Sequence, residues 1–425
     1  MIAFLVKVRV KTIFSAFGPI KAEPLELCYL KTVLDTMGIG NYLIDDLFSL
    51  KPPKDIVPEI VVLNGYNVAE DEIIREALLY KSRWPKTKII VGGVHVQGNP
   101  GEFHVDGVDH VCHSQSLDTF RTLIEKISNG DKDFQIEGVD TFSLEKGNWD
   151  IGKKKILYEQ EDIKADRSFF SQMAKDLHYL EKRNVALIKG SVGCPYRCSY
   201  CYCKELNDHY YIKPDFGKMA DEMQDIQADY FWIIDDILFS KRKEALDFIE
   251  VIKKRNLKIK IIGYLRADFI LMEKDLLKSL REIGLVELII GFEAINNNEL
   301  SAYEKTTDAL DYPKGIALLK ENHIDLTALF MVRPDYKLMD FWKLGKFIRD
   351  HKIEVFTLSI LTPIKGTEGY ASAREDLVTQ NPKKFDFMHL VLKSKLPKPL
   401  FYILFYGIHL RLLGSKRVWK YILKK

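Results

Sequence analysis

Cysteine is scarce in this 425-residue chain. There are six, and four of them fall within the stretch GCPYRCSYCYC, from Gly193 to Cys203. So few cysteines, so tightly grouped, exclude a disulfide-built scaffold. Cys28 and Cys112 stand alone and read as small core residues. Long hydrophobic runs are also missing. No segment approaches the roughly 20 apolar residues that a membrane-spanning helix needs. The opening MIAFLVKVRV lacks the long apolar run and small-residue cleavage site of a signal peptide and reads as a strand, so a cytoplasmic location is expected. Acidic residues disappear after Asp386. The stretch beyond it holds nine cations: Lys393, Lys395, Lys398, Arg411, Lys416, Arg417, Lys420, Lys424 and Lys425. Because the whole chain carries only +3, this is a basic tail on a mildly acidic body. That distribution argues against a nucleic-acid partner. Internal repeats and low-complexity tracts are absent as well.

What is present is alternation. Strand candidates at Ile2–Val10, Asn41–Phe48, Glu59–Asn64, Lys88–Gly92 and Asp109–Cys112 are separated by helical patterns near Pro24–Met37, Glu70–Arg83 and Ser116–Ile127. This predicts an α/β fold whose N-terminal unit, residues 1–130, is a doubly wound parallel sheet. Residues 131–180 are more polar and read as a linker with at least one helix. A second alternation follows in residues 181–367. Its strands are NVALIKG, YFWIID, KIKIIGYL, VELIIGF, LTALFMV and VFTLSIL. The intervening helices are expected near Lys218–Gln227, Lys241–Arg255, Glu273–Ile283, Ala309–Asn322 and Met339–His351. Six such repeats predict a partial (β/α)6 barrel with its ligands at the carboxyl ends of the strands. Residues 368–425 form a basic, apolar, helical C-terminal region.

The cysteine group directly follows the first strand of that barrel. Cys194, Cys198 and Cys201 have the spacing Cys-x3-Cys-x2-Cys, and a loop of that length can wrap three thiolates around one compact inorganic centre. A four-iron cubane is held by thiolates, and three protein ligands leave one iron open. Zinc is the other reading. It usually takes four protein ligands, and no second Cys/His pair is evident. Cys203, outside the trio, reads as a packing residue beside the centre.

Cys-x3-Cys-x-aromatic-Cys after the first strand of a six-fold β/α repeat resembles the radical S-adenosylmethionine enzymes. The resemblance implies that Cys194, Cys198 and Cys201 hold a 4Fe–4S cluster. It also implies that S-adenosylmethionine chelates the open iron and is cleaved to a 5′-deoxyadenosyl radical. Tyr200 occupies the aromatic position and joins the expected S-adenosylmethionine contacts. WIIDDILFSKRKEALDFIEVI, YLRADFI, IIGFEAINNNEL and LTPIKGTEGY are similar to strand-end runs of the cobalamin-type members. By that likeness Arg266 pairs with the methionine carboxylate, Glu293 accepts from the ribose hydroxyls, and Asp235 or Asp236 receives the amino group. The chain departs from the family at MVRPDYKL, where a Gly-Pro-Gly turn is frequent.

EPLELCYLKTVLDTMGIGNYLIDDLF, together with the run from Trp84 to Ile127, resembles the cobalamin-binding domain that precedes many of these enzymes. Asn64, Gly65 and Tyr66 end one strand there, and Gly92 and Gly93 end its neighbour. The pair of glycines would allow close backbone approach, and the five residues together would form a cobalamin rim. An Asp-x-His-x-x-Gly motif is absent, and CHSQS stands where a Gly-Glu run is common. His95 and His113 lie near the rim and read as satisfied polar residues rather than ligands. FDFMHLVLKSKLPKPLFY resembles the C-terminal region of cobalamin-type members, some of which methylate hopanoid lipids. Leu400–Leu413, amid its cations, can lie in a membrane interface.

The expected function is cobalamin-dependent radical methylation of an unactivated carbon on a small-molecule or lipid-like substrate, with an external electron donor. One alternative is radical desaturation, cyclisation or C–C bond formation without methyl transfer. Another is a non-enzymatic iron–sulfur electron-transfer or redox-sensing module.

Overall fold

The computed structural model describes residues 1–12, 15, 18–131 and 134–423. Lys424 and Lys425 of the basic tail lie outside them.

The first sheet is built from β1 (Ile2–Lys7), β3 (Gly40–Asp45), β4 (Ile60–Asn64), β5 (Lys88–Gly92) and β6 (His110–Cys112), with a two-residue β2 (Ile20–Lys21) belonging elsewhere. These five strands run parallel in the order β3-β1-β4-β5-β6. β1 shows why helices cover both faces. Its alternate side chains feed two separate cores, Phe4 and Val6 in one, Ala3 and Leu5 in the other. Helix Glu70–Arg83 supplies Ile73 and Ala77 to the first core. Helices Leu25–Thr36 and Leu117–Ser128 supply Leu27, Val33, Phe120 and Leu123 to the second. β1 is shorter than the expected Ile2–Val10 and ends at Lys7.

The segment read as a linker does more than connect. β7 (Val139–Ser143) and β8 (Asn148–Asp150) add two antiparallel strands to the edge of the first sheet. Helix Ser168–Met173 then leads to β9 (His178–Tyr179) and β10 (Lys182–Arg183), which form a small sheet with β2 in the order β10-β9-β2.

The second large sheet holds β11 (Val185–Ile188), β12 (Tyr230–Ile233), β13 (Ile261–Arg266), β14 (Leu285–Glu293), β15 (Asp325–Val332) and β16 (Val355–Ile360). All five pairings are parallel and sequential, and β11 and β16 remain edges, so the barrel is open. The amino end of this barrel is sealed. The Tyr179 hydroxyl donates to Thr327 Oγ1 (3.0 Å), and Lys182 and Arg417 both pair with the fully buried Glu287 at 2.6 and 2.7 Å. The carboxyl end is therefore the side left for chemistry.

The C-terminal region is helical at Lys398–His409 and Lys416–Leu423. Phe401, Phe405 and Ile408 fall on one stripe at helical spacing, and that stripe faces the protein. The Phe401 ring packs 5.2 Å from Phe341 on helix Leu338–Asp350. Within the run Leu400–Leu413, read as able to lie in a membrane interface, Phe401, Phe405 and Ile408 are buried in the protein's own core. No helix among the described residues is long and apolar enough to cross a membrane.

Candidate active site at the carboxyl ends of both sheets

The cysteine loop lies down tightly because two glycines permit it. A Cβ at Gly190 would meet Met219 Sδ at 2.0 Å, and one at Gly193, whose φ is +77°, would meet the Tyr210 carbonyl at 2.4 Å. The backbones of Val192 and Ile212 then bridge in both directions, at 2.9 and 3.1 Å. Ser199 anchors the outer end through its hydroxyl on the Ala302 carbonyl (2.9 Å). Within this loop Cys198 and Cys203 are buried, and Cys194 and Cys201 half-buried. Burial pushes the Cys194 thiol up to about 11 and raises that of Cys198. Hydrogen bonding with Cys203 lowers the thiol of Cys201 and raises that of Cys203.

Side chains from the other strand ends surround the loop. Arg266, at the end of β13, makes a paired contact with Asp268, lies 4.0 Å over the Tyr196 ring, and reaches Cys198 Sγ at 3.8 Å. Glu293 ends β14 at a register shift, in the left-handed region with φ +64°. A non-glycine residue there is strained, and the irregularity re-aims its side chain. Its carboxylate accepts from the Tyr200 hydroxyl (2.9 Å) and from Lys305 Nζ (3.1 Å), which also donates to the Gly291 carbonyl (2.8 Å). Burial foremost, with Glu293 second, raises the Tyr200 phenol. Lys305 carried no motif signal and was not singled out in the sequence. Its role appears only when the loop after helix Asn297–Ala302 folds back on β14.

The two aspartates after β12 separate. Asp235 is buried beneath the loop, where it accepts from the Gly190 amide at 2.7 Å, and burial raises its carboxyl. Asp236 is exposed, and the Cys203 thiol donates to it at 3.1 Å. Asp235 thus supports the loop from below, leaving Asp236 as the one of the pair open to a ligand.

A cavity of about 440 Å³ joins the two halves of the chain. On one side it meets the ends of β4, β5 and β6 through Tyr66, Val94 and Gln115; on the other it meets the cysteine loop through Tyr202 and Asn207. Ile364 to Thr367, after β16, close another wall. Of the five expected rim residues, Tyr66 lines the cavity directly. The others stand one layer behind. Asn64 accepts from Lys7 Nζ at 2.8 Å. Gly65 has no room for a Cβ, which would sit 2.9 Å from Ile73 Cδ1. Gly92 ends its strand beside Cys112, and Gly93, at φ +106°, lets the Asn64 amide lie where its own Cβ would be, 2.4 Å away. Both histidines have carboxylate partners: His95 Nε2 lies 2.6 Å from Glu70, and His113 Nε2 lies 3.1 Å from Asp140.

The donor sets fit the implied groups. No three His, Cys, Asp or Glu side chains among the described residues converge on a point as a single metal ion requires. Three thiols on one short loop, with the buried cations Arg266 and Lys305 beside Cys198, suit an anionic thiolate-held cluster. The aromatic walls of the cavity and the close-packed glycine edge suit a large planar cofactor lying on the first sheet.

Residues 188–348 match the family model of the Radical SAM superfamily. The chain is 24% identical over 217 residues to a hopanoid C-3 methylase of Methylococcus capsulatus, covering 51% of this chain and 42% of that one. It is 26% identical over 218 residues to an anaerobic magnesium-protoporphyrin IX monomethyl ester cyclase of Cereibacter sphaeroides, covering 50% and 36%. The chain thus spans less than half the length of either relative. Among solved structures, the radical S-adenosylmethionine methyltransferase TsrM from Kitasatospora setae, with cobalamin and a [4Fe-4S] cluster bound, superposes with a TM-score of 0.70. It shares 14% identity over 97% of this chain and 88% of its own. That likeness establishes the common fold.

Proposed function

The chain being a radical S-adenosylmethionine enzyme with the fold of the cobalamin-binding class, we propose that it methylates an unactivated carbon of an apolar, ring-bearing small molecule. The observation that carries this reading is the cavity shared by the carboxyl edge of the first sheet and the cysteine loop. Two cofactors, one on each side, would face a single space. Such a carbon has no acidic proton, so its hydrogen must leave with one electron rather than two.

In this reading Cys194, Cys198 and Cys201 hold the cluster. Asp236 takes the amino group of S-adenosylmethionine, and Arg266 or Lys305 offers a cation to its carboxylate. Glu293, steadied by Tyr200 and Lys305, accepts from the ribose hydroxyls. Tyr66 and the glycine edge behind it would receive cobalamin; His95 and His113 are each held by a carboxylate. When bound, the cluster supplies the electron that splits S-adenosylmethionine, and cobalamin supplies the methyl group. Tyr202, Ile364 and Phe387 give the cavity apolar walls that keep water from reactive intermediates. A large apolar substrate agrees with relatives named for a hopanoid and for a protoporphyrin ester. The exposed apolar side chains of the C-terminal helices further support a peripheral membrane contact.

The match to a cyclase favours one second reading, ring closure or desaturation without methyl transfer. Anaerobic reconstitution with S-adenosylmethionine, a reductant and extracts of apolar metabolites separates the two. Methylation yields both 5′-deoxyadenosine and S-adenosylhomocysteine; 5′-deoxyadenosine without the second product, together with a desaturated or ring-closed product, favours the alternative.

A further inference from the structure

After β8 the chain runs along the cavity before it reaches helix Ser168–Met173. Lys154, Lys155, Ile156 and Leu157 line that cavity. Both ends of this stretch are fixed. At the first, the Gly138 amide donates to the Lys153 carbonyl at 2.6 Å and the Gly152 amide to Asp140 at 2.9 Å. The fit there is close, since a Cβ at Gly152 would meet the Val139 carbonyl at 2.3 Å. At the second, Glu161 accepts from the Ser116 hydroxyl and the Leu117 amide, both at 2.6 Å, where helix Leu117–Ser128 begins.

Between these anchors the backbone is untied. From Lys154 to Gln160 no backbone group makes a hydrogen bond among the described residues. Three side-chain contacts hold the stretch down. Lys154 pairs with Asp208, Lys155 pairs with Asp118 at 3.6 Å, and the Tyr158 ring meets the Tyr210 ring edge-on at 4.9 Å. Lys154, Asp118, Tyr158 and Tyr210 are all exposed, and ion pairs in such positions hold weakly. Asp208 and Tyr210 follow the cysteine loop, so these contacts bridge the two halves of the chain. Ile156 and Leu157 lie between Lys154 and Tyr158 and are half-buried against the cavity. The other walls are tied. Val192 and Ile212 are bridged through their backbones, Asn99 donates to the Lys365 carbonyl at 3.0 Å, and Asn67 donates to the Phe385 carbonyl at 2.8 Å. The size of the space completes the argument. A pocket of about 300–1,000 Å³ holds one drug-sized ligand. A corrin with its amide arms, and a substrate beside it, exceed the 440 Å³ found here, so a wall has to give.

We propose that residues 154–160 are a strap that swings away to admit a corrin and closes over it, with Ile156 and Leu157 as its ligand-facing side chains. Lys154 with Asp208 and Tyr158 with Tyr210 are its clasp. This rests on the reading of the cavity as a cobalamin site. Opening breaks only the weak exposed contacts and leaves both anchors, and hence the first sheet, intact. Closure puts two apolar side chains over the occupant and sheds water from it.

The test uses the full chain with its cluster reconstituted, and aquacobalamin as the probe. Amide hydrogen exchange across residues 154–160 should be fast in the chain without corrin and about ten-fold or more slower once aquacobalamin is bound. The β7–β8 turn at Leu144–Lys146, away from the cavity, should exchange alike in both. In the variant Lys154→Ser with Tyr158→Ser, the clasp is loosened and both anchors are kept. Bound aquacobalamin should then be released several-fold faster than from wild type, as followed by its absorption after gel filtration. Unchanged exchange across 154–160 in a chain whose absorption shows bound corrin overturns the strap and leaves the cobalamin reading standing. An equal release rate from a folded variant overturns the clasp in the same way. A cluster-bearing chain that takes up no aquacobalamin removes the cobalamin reading, and the strap as its cover with it.

Discussion

At the scale of single residues, the proposed chemistry rests on which thiols hold the cluster. Cys194, Cys198 and Cys201 each supply one ligand in the proposed reading, so replacing any one with Ala should abolish the 4Fe–4S signal in electron paramagnetic resonance or leave a labile fragment. Cys203→Ala should retain it, because that thiol is turned to Asp236 at 3.1 Å. A cluster lost in Cys203→Ala and kept in Cys194→Ala would reverse the assignment. The cysteine loop after the first barrel strand was legible in the sequence because its spacing is itself the signal. The second rank was less so. Adjacent aspartates look alike in a string, and only burial distinguishes Asp235 under the loop from Asp236 above it. Arg266 was legible as the end of a strand, but its paired contact with Asp268, two residues on, was not. Lys305 was missed because its partner Glu293 is twelve positions away across a turn, and no periodicity reports such a contact.

At the scale of elements, the alternation of strands and helices was readable, since a parallel strand buried on both faces is a short apolar run and its covering helix an amphipathic one. What joins the elements was not. The polar stretch after residue 130 hides β7 and β8: β7 is buried between β6 and β8, yet Asp140, Thr141 and Ser143 give it no apolar pattern, and β8 is the sheet's edge. The tie between the two sheets is equally silent in sequence. Glu70, at the start of its helix, sits between His95 Nε2 at 2.6 Å and Lys365 Nζ at 3.0 Å, and Lys365 also pairs with Glu102. Burial raises the Glu70 carboxyl, but the hydrogen bonds from His95 and Lys365 outweigh it and leave it below the ordinary value of 4.5. A depressed carboxylate contributes stability that is complete above its unfolded value and is lost as pH falls through its folded one. Glu70→Gln should therefore melt about 2–4 °C below wild type at neutral pH, and the gap should close progressively below pH 4.5. A gap constant from pH 7 to pH 3 in thermal melts would mean that the charge on Glu70 contributes nothing.

At the scale of the whole molecule, the basic tail divides its labour. Arg417 is held by Glu181 and Glu287 at the sealed end of the barrel, and Tyr421 donates to the Gly18 carbonyl, so part of the tail fastens the fold. The outward side remains apolar and cationic. Ile403, Leu410, Leu413, Trp419, Ile422 and Leu423 are 44 to 80% exposed, with Lys398, Arg411, Lys416 and Lys420 also exposed along the same helices. Near an anionic bilayer each such cation adds about 1 kcal/mol, and not all can reach the surface together, so the sum is an upper bound. Even part of it, with a few apolar side chains entering the interface, favours reversible surface binding. The full chain should sediment with anionic vesicles at low salt and be partly released at high salt, since the ionic contribution is screened. Truncation near Lys398 is a poor control, because it would also remove Phe401, Phe405 and the Arg417 latch. Ile403→Ser with Leu423→Ser removes two exposed apolar side chains, leaves the Trp419 indole on the Leu413 carbonyl, and should lower vesicle binding several-fold while the cluster is kept. If the intact chain stays in the supernatant with anionic vesicles at low salt, the tail serves the fold alone, and an apolar substrate must reach the cavity from solution.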